Sequence, residues 1–594
     1  MHFSVQNDNP DSRFTLEPLP AGEGIELFRL SLDFDTPTRP APVTLRWHEP
    51  MTGQYSLWHP LAGQNRRMPQ WYAPAVSAAC FCKGAPVLAL VDAESRSKLT
   101  AALADGIQSS ELRFAVDDFA EQNEQLLSLT LFTAPAAPTL HYETLLRLDR
   151  RGLSLSESLQ DTARWWNSIL SCEAEDLPAR RSPAASFYPL YSTWYSFHQH
   201  PTQDALLDEL KLAAPLGMRL CILDDGWQFE GDGTGDYRSA GDWQPAPGKF
   251  PDFARFVDEV HALGIRLMVW FSVPFAGYCT EAYRRFRDKL LCAHDETNQA
   301  GILDPRYPEV RAFICGTILD FARRYDLDGL KLDFIDSFRL YPDSPESAPG
   351  MDTLSVDEGV MRLLAALREG ARTIREDFLF EFRQHYVGSE ILRYTDMIRV
   401  IDCPYDTLSN RIGVCDLRQF TFGKAVHSDM LLFAPEEAPE ACARQLLDIL
   451  FSVPQLSLRL ARCPKWQLEL IGSHLRYRES RSELLTRGRF GALRPEAGYS
   501  RAWAEDGHTR ITVLYTDEAH TLTHAHEELW NAGSARRILV ENPEGRPISY
   551  RQYDLYGELR AEKTDAARVL VFELTPGERL EAERLEEELR KMLP

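Results

Sequence analysis

Between residues 185 and 490, short apolar runs alternate with helical patterns. Candidate strands are 188–194, 220–225, 266–271, 329–335, 378–382, 397–402, 430–433 and 456–460, and helical periodicity fills stretches such as 253–263, 310–325, 356–375 and 440–451. Strand after strand separated by helices calls for parallel pairing with right-handed crossovers, and eight such units close into a (β/α)8 TIM barrel. In that architecture every strand ends at the same mouth. Residues at the carboxyl ends of the runs are therefore the ones that can converge on a site.

The flanks read differently. Before about residue 150, alternating runs such as 26–32, 126–132 and 145–148 are broken by Gly, Pro and Asn, the pattern of an antiparallel β-sandwich, and a helical connector follows from 154. After about 490, strand patterns at 509–515, 535–541 and 569–573 return without helices and imply a small C-terminal antiparallel β-domain. The run 576–592, rich in Glu, Leu and Arg, reads as a charged amphipathic helix. The expected multidomain α/β and β organisation is a β-sandwich with connecting helix over 1–175, a catalytic barrel over 176–490 and the β-domain with its terminal helix over 491–594.

Composition narrows the partners. With 594 residues and 44% hydrophobic content the chain can bury several cores, and its formal charge of −23 disfavours nucleic acid and anionic membranes, leaving a neutral ligand as the better fit. No run is long enough to span a bilayer, and the amino terminus lacks the basic and apolar regions of a secretory signal. The 11 cysteines are irregularly spaced, many of them inside apolar runs, which suits reduced thiols and a cytoplasmic location; Cys80 and Cys82 are too isolated to argue for zinc.

Three strand ends carry aspartates: Leu223-Asp224-Asp225-Gly226-Trp227, Lys331-Leu332-Asp333-Phe334 and Ile401-Asp402-Cys403-Pro404-Tyr405-Asp406. Two carboxylates facing one another are the minimum equipment for cleaving a glycosidic bond. Lys331 and Asp333 share a strand face, so the ammonium can keep the carboxylate ionised, as a nucleophile requires. The adjacent Asp224 and Asp225 need donors to offset their repulsion, and sugar hydroxyls supply them. Cys403, Pro404 and Tyr405 would desolvate Asp402 and raise its pKa, while Arg399, if close, would lower it. Sequence alone does not weigh the two.

Together these residues resemble the α-galactosidases of glycoside hydrolase family 36, the melibiase-like group, in the clan that includes families 27 and 31. The resemblance runs from Pro189 to about Gly423. The segment Pro189 to Tyr195 is similar to that family's first strand, Leu223 to Trp227 to its sugar-binding segment, Asp242-Trp243 with Lys249-Phe250-Pro251 to another shared stretch, and Lys331-Leu332-Asp333 to its nucleophile motif. Asp402, Asp406 and Arg411 are similar to its acid/base segment, with the spacing from Asp402 to Asp406 one residue longer than usual. Leu332 stands where an aromatic residue is usual and Ile335 where Asn is. Trp270-Phe271-Ser272-Val273-Pro274 replaces the usual Trp-x-Glu-Pro-Glu, and Phe380-Glu381-Phe382-Arg383 stands where a Cys- and Gly-rich loop is common. The last departures make Glu381, Arg383 and His385 candidates for a different subsite.

The resemblance implies a retaining double displacement in which Asp333 is the nucleophile and Asp402 the acid/base, with Asp406 as its substitute candidate. Substrate binding is then expected from Asp224, Asp225, Lys331, Arg383, Arg399 and Asp406, with Trp194, Trp227, Trp243 and Trp270 as apolar walls, although aromatics near barrel strands are more often core. The expected substrate is an oligosaccharide or glycoside with a terminal α-galactose. N-acetylgalactosamine, glucose or a modified hexose is the alternative. No cofactor or metal is required. A Mg²⁺-dependent barrel lyase or isomerase, using Asp224, Asp225 and Asp333 as ligands, and a non-catalytic sugar-binding protein are the remaining readings. Family members often assemble as homo-oligomers, and the edges of the two β-domains would supply the surfaces.

Overall fold

The computed structural model describes residues 2–585 apart from 71, 118–123, 174–181, 231–234 and 422. The N-terminal part packs a five-stranded antiparallel sheet against a six-stranded one. Strand Val43–Pro50 shows why: Val43, Leu45, Trp47 and Glu49 are buried and their neighbours are not, the period of two that gives a strand one core face. Leu30, Leu32, Leu90, Leu129 and Leu146 from both sheets complete that core. The helix Leu155–Glu173 follows the last of these strands.

The central sheet is parallel and eight-stranded. In chain order its strands are Leu190–Ser192, Leu220–Leu223, Arg266–Ser272, Gly329–Asp333, Leu379–Arg383, Met397–Arg399, Ala425–His427 and Gln455–Leu456, called here strands one to eight. Neighbours pair in sequence, strand one also pairs with strand eight, and parallel bridges His427–Val453 and Leu431–Leu456 close the ring between strands seven and eight. Two expected strands move. In the apolar run 430–433 Met430, Leu431 and Phe433 are buried, but the run lies past the seventh strand, where Leu431 N donates to Gln455 O at 2.9 Å as the chain climbs beside strand eight. Strand eight is confined to Gln455–Leu456, and Leu460–Arg462 is a 3-10 turn.

The inward side chains form layers. Leu190, Leu220, Met268, Leu379, Met397, Ala425 and Val453 gather in an apolar cluster at the floor. Two residues further along, on the same strand faces, stand Ser192, Trp270, Lys331, Glu381, Arg399, His427 and Gln455, all buried. Another two residues on come Ser272, Asp333, Arg383 and Asp429 at the mouth. The barrel thus changes from apolar floor to charged rim within five residues of strand.

The C-terminal part holds a seven-stranded and a three-stranded sheet. Most pairs are antiparallel, but Thr509–Leu514 runs parallel to His526–Asn531. The expected terminal helix is corrected over its first half: Arg579–Arg584 is a strand between His526–Asn531 and Ile548–Tyr553. Leu580 and Ala582 point into the core with a period of two, a spacing that glutamates and arginines around them mask in the sequence. Residues 586–594 of that expected helix lie outside the described residues. At the junction of all three parts Asp416 accepts from Trp58 Nε1 at 2.9 Å, Arg66 Nη2 at 2.5 Å and Tyr499 OH at 2.6 Å. Among the described residues no helix is long and apolar enough to cross a membrane.

Candidate active site at the barrel mouth

Asp333 ends strand four with its carboxylate almost fully engaged. Oδ1 accepts from Arg383 Nε at 2.6 Å, Phe334 N at 2.8 Å and Tyr386 OH at 3.2 Å, while Oδ2 accepts from Trp270 Nε1 at 3.0 Å and lies 4.0 Å from Lys331 Nζ. Burial would raise its pKa, but the charges of Arg383 and Lys331 and the hydrogen bonds outweigh it and hold the carboxyl well below the usual range. Oδ1 carries three donors and Oδ2 one. Oδ2 is therefore the less engaged oxygen, with a lone pair left free.

Lys331 Nζ bonds Asp224 Oδ2 at 2.6 Å. Burial alone would lower the lysine, yet Asp224, with Asp333 and Asp402 behind it, keeps its pKa above the ordinary value. Asp225 turns the other way, accepting from Gln199 Nε2 at 2.6 Å and Gln228 Nε2 at 2.7 Å. Burial pushes its pKa up to about 6, with the amide bonds opposing the shift. The loop that sets this pair depends on Gly226 at φ 104°, where an added Cβ would come within 2.4 Å of Gln199 Cα. Lys249 Nζ fastens both segments, donating to Gln199 O at 2.7 Å and Gly226 O at 2.9 Å.

Asp402 sits past strand six with its side chain 45% exposed, 2.8 Å from Arg399 Nη1. The same nitrogen donates to Asp429 Oδ1 at 2.6 Å, and Arg399 Nε is 3.8 Å from Glu381 Oε1. Burial and the nearby Asp333 raise the Asp402 pKa, but Arg399 and then Lys331 win, and the carboxyl lies below its ordinary value. Arg399, not the desolvating Cys403 and Pro404, decides the contest left open in the sequence. Tyr237, stacked 6.0 Å from Trp270, feels Asp225, Asp333, Asp224 and Asp402 together, so the four carboxylates share one neighbourhood.

Other expected site residues stand elsewhere. Asp406 caps the helix Thr407–Phe420, accepting from Ser409 N at 2.9 Å, and Arg411 turns toward the C-terminal part, bonding Gly498 O at 2.9 Å and Asp448 Oδ1 at 3.1 Å. Trp227 is fully buried among Trp243, Phe253, Phe271 and Phe321, and Trp243 is also core. Trp270 is buried but reaches Asp333 through its N–H, and Trp194 is half-buried against His198. His385 is held neutral, its pKa lowered to about 4 by burial and by Lys83 and Arg383. Tyr386, Gln199, Gln228, Tyr237 and Tyr195 enter the site without any sequence signal stronger than proximity to a strand end, and so does Asp429 but for its spacing. Asp429 had one: it lies two residues beyond the inward His427. An open cleft of about 890 Å³ lies away from this mouth, between residues 479–488 and the C-terminal sheet. Its carboxylates Glu479, Glu483 and Asp506 belong to surface elements, and the convergence of buried charge favours the barrel mouth as the site.

The stretch from strand one past strand four matches a known family model. Residues 186–347 match the Melibiase family. That melibiase segment takes in Asp224, Asp225, Lys331 and Asp333 and stops before Asp402. Among curated proteins the chain is 29% identical over 157 residues to a probable alpha-galactosidase G of Emericella nidulans, covering 24% of this chain and 22% of that one. It is 31% identical over 103 residues to alpha-galactosidase Mel36A of Lactobacillus acidophilus, 17% of this chain and 14% of the other. The matches thus span well under two thirds of these relatives. Over the whole fold, the AgaA alpha-galactosidase of Geobacillus stearothermophilus solved with raffinose superposes with a TM-score of 0.64 at 15% identity, covering 98% of this chain and 82% of that one. The TtGalA enzyme of Thermus thermophilus, solved with p-nitrophenyl α-D-galactopyranoside, gives 0.51 at 16% identity, covering 82% and 97%. The sandwich, barrel and C-terminal sheets are the architecture of those structures.

Proposed function

We propose that this chain is a retaining α-glycoside hydrolase acting on a terminal α-galactoside. The observation that carries the proposal is an ionised, four-donor Asp333 with one free lone pair, in the same mouth as the solvent-facing Asp402. Asp333 Oδ2 attacks the anomeric carbon, the bond to the leaving oxygen breaks, and a glycosyl-aspartate forms. Asp402, protonated in the substrate complex, gives its proton to that oxygen, then takes one from the water that hydrolyses the ester. Asp224 and Lys331 lie below the sugar position and bind its hydroxyls.

The free protein holds Asp402 ionised, which fits the second step directly. For the first, a bound sugar must displace solvent from the exposed Asp402 and so raise its pKa. After Asp333 is glycosylated its negative charge is gone, which removes one of the influences that raise Asp402 and favours its service as a base. The ion pairing of Lys331 with Asp224 supplies positive charge where the Mg²⁺-dependent reading needs a metal, and strand three ends in Ser272 without a further carboxylate; both favour the hydrolase.

Galactose as the sugar rests on the matched relatives, whose names specify it. The division into 1–175, 176–490 and 491–594 is part of this proposal, although strand Arg489–Leu493 of the C-terminal sheet begins two residues before the last boundary, and a reducing compartment suits the described cysteines, none of which is disulfide-bonded. The test is a panel of aryl α-glycosides with NMR of the first-formed sugar. Release of α-galactose from the α-galactoside supports the proposal; first release of the β-anomer, or preference for a β-glycoside, contradicts it.

A further inference from the structure

Three of the four tryptophans that would line a sugar site are core, so the job of an exposed aromatic platform falls to another residue. Tyr405 is 76% exposed and stands three residues after Asp402. Asp406 N donates to Cys403 O at 3.0 Å, closing a turn over Cys403-Pro404-Tyr405-Asp406. Proline in the second position suits such a turn, but the third position needs positive φ and favours Gly or Asn. Tyr405 occupies it at φ 62°, a conformation that bulky residues rarely adopt.

Both ends of the turn are fixed. Cys403 N donates to Asp429 Oδ2 at 2.7 Å, and the Asp406 carboxylate, besides capping its helix, accepts from Gln64 Nε2 of the N-terminal part at 3.3 Å. The surroundings therefore hold a strained tyrosine, ring outward, on the loop of the acid/base carboxylate. Strain kept at a site in this way points to use.

We propose that the Tyr405 ring is the platform for the leaving group, selecting glycosides whose leaving group is itself a sugar ring. This rests on the assignment of Asp402 as proton donor: the departing oxygen must lie beside Asp402, so the group it carries extends over the same loop. A pyranose offers a flat C–H face, which an aromatic ring covers well, while the phenol edge stays in water.

The experiment compares melibiose, whose leaving group is a sugar, with α-galactosyl fluoride, whose leaving group has no ring, in wild type, Tyr405→Gly and Tyr405→Phe. Glycine suits the positive φ, so the turn persists, and melting temperature checks folding. The ratio of kcat/KM for melibiose to that for the fluoride should fall about tenfold in Tyr405→Gly and stay near wild type in Tyr405→Phe, the size expected of one lost ring contact. An unchanged ratio in Tyr405→Gly overturns the platform while leaving the hydrolase assignment standing. Absence of turnover of both substrates by the wild type overturns the hydrolase assignment, and the platform with it.

Discussion

Arg383 Nε donates to Asp333 Oδ1 at 2.6 Å from the adjacent strand, and the guanidinium also lies 3.6 Å from Asp336. A carboxylate buried at this depth would otherwise be pushed toward its neutral form, so the pair is what makes Asp333 a nucleophile at all. Because its pKa is depressed, Asp333 is ionised throughout the range above the ordinary aspartate value and loses its charge only as pH falls below it. Arg383→Met should therefore move the acid limb of the kcat/KM profile to higher pH and lower kcat/KM at neutral pH about a hundredfold. An acid limb that stays in place would show that Lys331 and Trp270 suffice.

Asp429 acts on Asp402 through Arg399. It shares the Arg399 Nη1 nitrogen with Asp402 and so offsets part of the guanidinium charge that Asp402 feels, with Glu381 and Tyr195 facing the same cluster. In Asp429→Asn that compensation is lost, Arg399 draws more strongly on Asp402, and the Asp402 pKa drops further. The alkaline limb of kcat, which reads Asp402 in the substrate complex, should move down by about one pH unit. A shift upward, or none with kcat reduced, would make Asp429 a purely structural partner of Cys403.

Burial pushes Glu381 up to about 7, against the pull of Arg399 and Lys331. A folded-state pKa above the unfolded one means that the folded state holds the proton longer, so stability falls as pH rises from about 4.5 to 7. Glu381→Gln should flatten that decline by at most ~3 kcal/mol in urea unfolding. Parallel stability curves for the two proteins would place the Glu381 titration elsewhere. Asp225 shifts in the same direction and remains as background in both.

Gly226→Ala places a methyl group against the Gln199 backbone at a positive φ. About 1–3 kcal/mol of stability should be lost, with kcat/KM reduced more than the fraction folded explains, because Asp225 moves with the turn. Full activity per folded molecule would mean that the Asp224–Asp225 geometry tolerates a shifted loop.

The sequence made the barrel legible because strands one to six are apolar runs ending in polar residues, and the carboxylates sit at those ends. It concealed strand seven, since Ala425–His427 offers only two apolar residues while the loop 430–433 beyond it offers four, three of them buried. It concealed the last strand too, because Arg579–Arg584 alternates with a period of two inside a composition typical of helices. At the site, Asp333 with Lys331, and Asp402 with Arg399, are neighbours along the chain and could be paired on paper. Arg383 on Asp333, Asp429 on Arg399 and the burial of Trp227 are contacts across strands, set by barrel register and by layer, and one sequence does not encode those distances. The exposure of Tyr405 is equally hidden in the sequence, where tryptophans are the better platforms on composition, and only the fold shows that Trp227, Trp243 and Trp270 are spent on the core.

The central claim is that Asp333 becomes covalently attached to the sugar. A 5-fluoro α-galactosyl fluoride, which slows breakdown of the ester more than its formation, followed by proteolysis and mass spectrometry, reads this directly. The account predicts a stoichiometric glycosyl adduct on the peptide carrying Asp333, absent from Asp333→Ala. An adduct on Asp402 or another carboxylate, or turnover of the reagent with no adduct and inverted product, would contradict it.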